Sequence, residues 1–167
     1  QRGVLAASRS LWSGLAHRLS ALRPGVRQNV YDLEWDLLVV LDSCRVDSLQ
    51  QVTHEYDYLP TEIPSIRSVG PDSHTWIERT FSSERGDQIG KTAYLSGNPH
   101  TEGFADGAYP IDGDDFAYLE NVFETAFDDE HGTIPPRAIT DRAVSYLRTN
   151  CPERTILHYM QPHTPYR

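Results

Sequence analysis

The 167 residues carry 24 acidic against 15 basic side chains, for a formal net charge of −9 and a pI of about 5.1, which excludes a broad nucleic-acid surface. With 38% hydrophobic residues, 11 Gly and 11 Pro, the chain is globular in composition and long enough to bury a core, not disordered or fibrous. Lys91 is the only lysine; an acidic, Lys-poor surface also suits a high-salt cytoplasm.

Two cysteines, Cys44 and Cys151, make no disulfide framework, and a reduced compartment is the simpler reading. No run reaches the about 18 apolar residues of a transmembrane helix. Arg9, Ser10, Ser13, His17 and Arg18 break the N-terminal apolar stretch, so it does not read as a signal peptide. The expected location is the cytoplasm, with membrane-surface contact left open.

Residues 1–28 stand apart as a basic helix and linker: Arg2, Arg9, Arg18, Arg23 and Arg27 occur before any acid. Within them, residues 4–22 read as an amphipathic helix, with Leu11, Leu15, Leu19 and Leu22 at helical spacing beside Trp12, stopped by Pro24-Gly25. This helix either packs on the domain or lies on a membrane surface. Residues 29–167 read as one α/β domain. Leu37-Leu38-Val39-Val40-Leu41 is wholly apolar, as in a central parallel strand covered on both faces. A short helix is predicted over 46–52, a strand over 66–69, and a helix over 75–82 after the Gly70-Pro71-Asp72 turn. A strand is predicted over 92–96. Residues 101–132 read as a long loop with a short helix near 116–126. A helix opens at Pro135-Pro136 and runs to about Arg148, and a last strand covers 155–160. Alternating strands and helices predict a mostly parallel sheet flanked by helices.

Strand ends in such a sheet gather ligands. Asp42-Ser43-Cys44-Arg45 follows the first strand, Asn98 and His100 follow the third, and His163 follows the fourth, with Ser73-His74-Thr75 at a helix start between them. Carboxylate, imidazole, hydroxyl and guanidinium at one edge suit a metal-assisted attack on an anionic ester.

These segments resemble a known superfamily. WDLLVVLDSCRVDSL is similar to the opening strand of sulfatases and their relatives, GKTAYLSGNPH to their later strand and basic loop, and ILHYMQPHTPYR to their strand followed by Pro-His-x-Pro. The approach LRPGVRQNVYDLEWDLLVVLDSCRVD is especially similar to sulfatase-like proteins of haloarchaea. From about Arg23 to Arg167 the chain thus resembles the N-terminal part of the alkaline phosphatase/sulfatase superfamily. The resemblance implies an incomplete alkaline phosphatase-like α/β fold and hydrolysis of sulfate or phosphate esters, with a glycan, lipid head group or small metabolite as the anionic substrate.

It also implies residue roles. Asp42 is the metal ligand, and a hard carboxylate suits Ca²⁺, Mg²⁺, Zn²⁺ or Mn²⁺. Arg45 meets the substrate anion or pairs with Asp42, unless it forms a surface ion pair. Asn98 and His100 are substrate-binding, and His163 contacts the transferred anion or the leaving group. The nucleophile is a hydroxyl at a helix N-terminus, Ser73 first and Thr75 second; Thr75 to Glu78 also reads as a capping box. His158 reads as core, His74 as a solvent-facing neighbour, and Asp129-Glu130-His131-Gly132 as loop.

Two departures weigh on the chemistry. The Cys-x-Pro-x-Arg motif of formylglycine sulfatases is missing, and Ser43 stands where a second Asp is usual. An unmodified hydroxyl is the phosphatase and phosphotransferase solution, so a phosphoglycerol- or phosphoethanolamine-type transferase or a phosphodiesterase stands beside the sulfatase-like hydrolase. A non-catalytic glycan- or membrane-associated protein on the same scaffold is the third reading. Starting at Gln1 and ending just past His163, the chain is expected to lack further metal ligands and, alone, to be inactive.

Overall fold

Four parallel strands form the sheet: β1 (Leu37–Leu41), β2 (Thr92–Ser96), β3 (Tyr118–Asn121) and β4 (Arg154–Tyr159), in the spatial order β1-β4-β2-β3. The structure, a computed structural model, describes residues 27–163. The helix expected over 4–22 and the final residues 164–167 lie outside the described residues. The main helices are α1 (Val46–Val52), α2 (Ser73–Thr80) and α3 (Pro136–Leu147). No helix among the described residues is long and apolar enough to cross a membrane.

Each face of the sheet packs against helices and loops, except along the outer face of β1. On one face Ile77 and Phe81 from α2 and its C-cap pack with Val30, Tyr31, Tyr94, Phe104, Phe116 and Ile156. Phe81 lies at the centre of this aromatic set, with ring centroids 5.1 Å from both Tyr94 and Phe116 and 5.6 Å from Phe104. Such pairs add specificity beyond their buried area. On the other face Ile139 and Ala143 of α3 close over Ala93, Leu95 and Leu157. Gly97 allows this approach, because a Cβ there would stand 2.8 Å from Cδ1 of Ile139. The two covers leave the sheet on opposite faces, the doubly wound pattern that places ligands at the carboxyl ends of the strands.

Four expectations are corrected. Residues 66–69 are not a strand; they run as extended chain whose backbone anchors other segments, Arg67 O and Val69 O accepting from Gln28 N and Arg27 Nη1. Residues 116–126 hold β3 followed by a single helical turn, Phe123–Ala126. A four-residue strand is too short for a period to show; Tyr118 pairs with Ala93 of β2, and its ring stacks on Tyr146 of α3 at 4.1 Å. The α2 helix starts at Ser73, capped by Asp72, whose side chain accepts from Thr75 N. Asp72, rather than Thr75, is the capping residue. Finally, β1 is an edge strand of the described sheet. Leu38 and Val40 pack inward, while Leu37, Val39 and Leu41 stay exposed.

Candidate active site

The period of two along β-strands selects the site. Leu38, Val40 and then Asp42 alternate onto the α2 face of the sheet. In register with Val40 across β4 and β2 stand His158 and Ser96, and two residues past Ser96 the same face receives Asn98. The first turn of α2 comes down over this row. One carboxylate oxygen, Oδ2 of Asp42, is the meeting point. Ser73 Oγ donates to it at 2.8 Å, Asn98 Nδ2 donates to it at 2.8 Å, and His158 Nε2 stands 3.7 Å away. The other oxygen, Oδ1, accepts from Ser43 Oγ at 3.1 Å.

Each partner is locked from behind. Asn98 is buried, and its amide oxygen accepts from His100 N at 3.0 Å, so its nitrogen must face Asp42. His158 is 2% exposed, its ring edge-on to Trp76 at 5.7 Å and its Nδ1 2.8 Å from Tyr94 Oη. Burial pushes the Tyr94 phenol well up, so it keeps its proton at neutral pH. The Tyr94 hydroxyl holds one side of the ring at Nδ1, which turns Nε2 toward Asp42. Ser43 lies at φ 63°, a conformation uncommon outside Gly that here turns the chain sharply at the strand end. Gly70 is required: a Cβ there would lie 2.3 Å from Trp76 N, so only glycine lets the 68–71 segment close against α2.

Burial works against ionisation of Asp42, but His158, Ser73 and Ser43 outweigh it and hold the carboxyl down at about 2. Asp42 is therefore an anion at any physiological pH. It opens into a cavity of about 380 Å³ lined by Ser68, Gly70, Ser73, Trp76, His158 and His163, among others.

Of the residues expected from sequence, the structure brings Asp42, Ser73, Asn98 and His163 to this place. Thr75 sits one side away, its hydroxyl donating to Asp72 Oδ2 at 3.0 Å. Arg45 points out to solvent in a bidentate pair with Asp47, both contacts at 2.8 Å, and does not pair with Asp42. His100 does not line the cavity; its ring is edge-on to His74 at 5.7 Å, and His74 also meets Tyr109 at 5.4 Å. The 128–133 stretch is a turn closed by a short bridge, with His131 on Asp128. His158 is both core and site, and Tyr94 and Trp76 support it. Strand parity with Asp42 was the signal for His158, once β4 is set beside β1.

The chain matches no protein-family model, no curated protein and no solved structure. Among the described residues no group of three or more His, Cys, Asp or Glu side chains is arranged to hold a metal ion. The oxygen donors at the site are the Asp42 carboxylate and two hydroxyls, Ser73 on Oδ2 and Ser43 on Oδ1. They fit part of the shell of a hard divalent cation, which prefers oxygen donors and asks for about four to eight of them.

Proposed function

We propose that this chain carries the nucleophile half of a metal-dependent hydrolase or transferase acting on phosphate or sulfate esters, of the alkaline phosphatase/sulfatase type that its motifs resemble. The observation that carries the reading is Ser73 Oγ bonded to Asp42 Oδ2 at 2.8 Å, at the first turn of α2 and the carboxyl end of β1. A carboxylate held at about 2 is too weak a base to take a serine proton efficiently near neutral pH. Its chemistry is that of a fixed anion, which is a ligand's role. A divalent ion held by Asp42 and Ser73, and by groups beyond these two, would supply a lowered hydroxyl pKa and stabilise developing charge.

The chain's own residues do the rest. Ser73 presents a hydroxyl where α2 aims its free N–H groups, a place favourable to an anion. Asn98 and His158 keep Asp42 oriented, so the serine is aimed rather than mobile. His163 lines the same cavity, and in this reading it meets the transferred anion or the leaving group. The substrate is an anionic ester, of a glycan, lipid head group or small metabolite. An unmodified serine favours phosphoryl over sulfuryl transfer: the Ser73 Oγ–P bond forms as the bond from phosphorus to the leaving oxygen breaks, the Ser73 proton passing to water in the cavity and the leaving oxygen departing as an oxyanion that takes a proton from water.

The test is hydrolysis of aryl phosphate monoesters, aryl phosphate diesters and aryl sulfates by the complete protein, with and without a chelator, beside Asp42→Ala and Ser73→Ala. Chelator-sensitive turnover that falls by about 10³-fold or more in both variants is the expected outcome. Undiminished turnover in Ser73→Ala would remove the nucleophile from the account. No turnover on any ester, with no metal retained, would leave the scaffold reading.

A further inference from the structure

Beside the polar groups at Asp42 the cavity has an apolar wall. Ser73 and Trp76 stand three residues apart on α2, so their side chains share one face of the helix. Both line the cavity. The Trp76 indole is half-buried: it packs against the aromatic core and also borders the open space beside Ser73. Its ring stands at 86° to Phe81, with centroids 6.0 Å apart, and at 76° to His158 at 5.7 Å. One ring from the end of α2 and one from β4 thus hold its plane. Its backbone is held as well. Trp76 N donates to Asp72 O at 2.8 Å, and Gly70 lies so close that a Cβ there would be 2.6 Å from Trp76 Cα. Val40 of β1 and Pro71 of the adjoining turn line the same cavity. A preformed apolar wall next to a carboxylate and a hydroxyl is the make-up of a small-molecule site, with apolar surface for affinity and a few polar groups for orientation.

We propose that Trp76 is the specificity-determining residue of this site, and that the ester it selects carries a flat aromatic ring. The inference rests on the ester-cleaving reading above and narrows its substrate. Three features favour a ring over a lipid tail. The indole offers a planar surface, against which a second ring packs offset or edge-on. The cavity, at about 380 Å³, lies near the lower end of the about 300–1,000 Å³ of ligand pockets, which suits one ring and its anionic group rather than a long chain. Residues three apart on a helix have Cβ atoms about 5–6 Å from each other, so an anionic group at Ser73 leaves a ring attached to it against the indole.

The test is equilibrium binding of three non-hydrolysable anions, phenylphosphonate, hexylphosphonate and methylphosphonate, to the complete protein with Mg²⁺ present, read by calorimetry. The native protein should bind phenylphosphonate at least ~10-fold more tightly than methylphosphonate. Trp76→Ala should erase that preference while changing the methylphosphonate affinity less than ~3-fold, and Trp76→Phe should keep most of it. Equal affinity of the native protein for the two, or binding of neither, would overturn the proposal. So would an equal loss on both ligands in Trp76→Ala, which would make Trp76 only a support for His158. Hexylphosphonate bound as tightly as the phenyl compound would overturn it in favour of a chain-bearing ester. Should Trp76→Ala fail to fold, the indole N–H resonance of Trp76, assigned by its loss in Trp76→Phe, gives a second reading. Phenylphosphonate should shift it and methylphosphonate should not; an unmoved resonance would overturn the proposal. Turnover in Ser73→Ala separates this claim from the reading it rests on. Undiminished turnover there, with the phenyl preference intact, would remove the nucleophile and keep the wall, and lost turnover with no phenyl preference in the native protein would do the reverse.

Discussion

At the scale of single residues, Asp42 is the group whose environment departs furthest from that of a surface carboxylate. Its side chain is 10% exposed and its pKa lies at about 2 instead of the ordinary 3.8. A carboxyl depressed in the folded state stabilises the fold above its unfolded pKa and loses that contribution as pH falls through the folded value. Asp42 should thus contribute on the order of 2 kcal/mol that is complete above about pH 5 and lost between about pH 4 and pH 2. Urea unfolding followed from pH 6 to pH 2 should show that slope in the native chain and a flatter one in Asp42→Asn; identical slopes would mean Asp42 has no stabilising partners. Thr75 offers the contrasting case. Its hydroxyl serves Asp72 at the exposed helix start. Thr75→Ala should cost under about 1 kcal/mol and leave turnover near that of the native protein, while Asp72→Ala should cost about 1 kcal/mol through loss of the cap.

At the scale of elements, the site depends on α2 seating its first turn over β1 and β4. Gly70→Ala would drive a Cβ into Trp76 N, and displacing either segment should cost about 1–3 kcal/mol and shift Ser73 off Asp42. Thermal unfolding together with turnover would register both effects; an unchanged midpoint would show that the 68–71 segment yields freely. His158→Leu keeps much of the volume but leaves Tyr94 Oη without a partner in the core and Asp42 short of one at the cavity, so a loss of about 1–3 kcal/mol is expected. Tyr94→Phe, which removes the phenol instead, should cost less. The elements that the sequence made legible were those with a period or a stop signal: β1, α1, β2, α3 and β4. Those it hid were short or held by distant partners. The strand β3 has four residues and is held by its pairing with β2. The 66–69 stretch reads as a strand through Ile66 and Val69, both β-branched, yet its backbone is used by Gln28 and Arg27 instead of a sheet.

At the scale of the whole molecule, a parallel sheet order was readable only in outline. The β1 run looked central because every residue in it is apolar. In the structure β4 is its only strand partner among the described residues, and Leu37, Val39 and Leu41 on its outer face stay exposed. The site was legible as a set of strand ends, since Asp42, Ser73, Asn98 and His163 do converge. Its depth was not, because that Asp42 and His158 share one face emerges only when β1 and β4 are placed side by side. Arg45 shows the limit of proximity in sequence: three residues from Asp42, it faces away and pairs with Asp47. The central claim is that Ser73 is the residue that attacks. The most direct measurement is acid-quenched incubation of the complete protein with an aryl phosphate ester, followed by peptide mass spectrometry. The account predicts a phosphoryl group on Ser73, absent in Ser73→Ala and retained in Thr75→Ala. A phosphoryl group on Thr75 would contradict it, as would turnover that proceeds with Ser73 never modified.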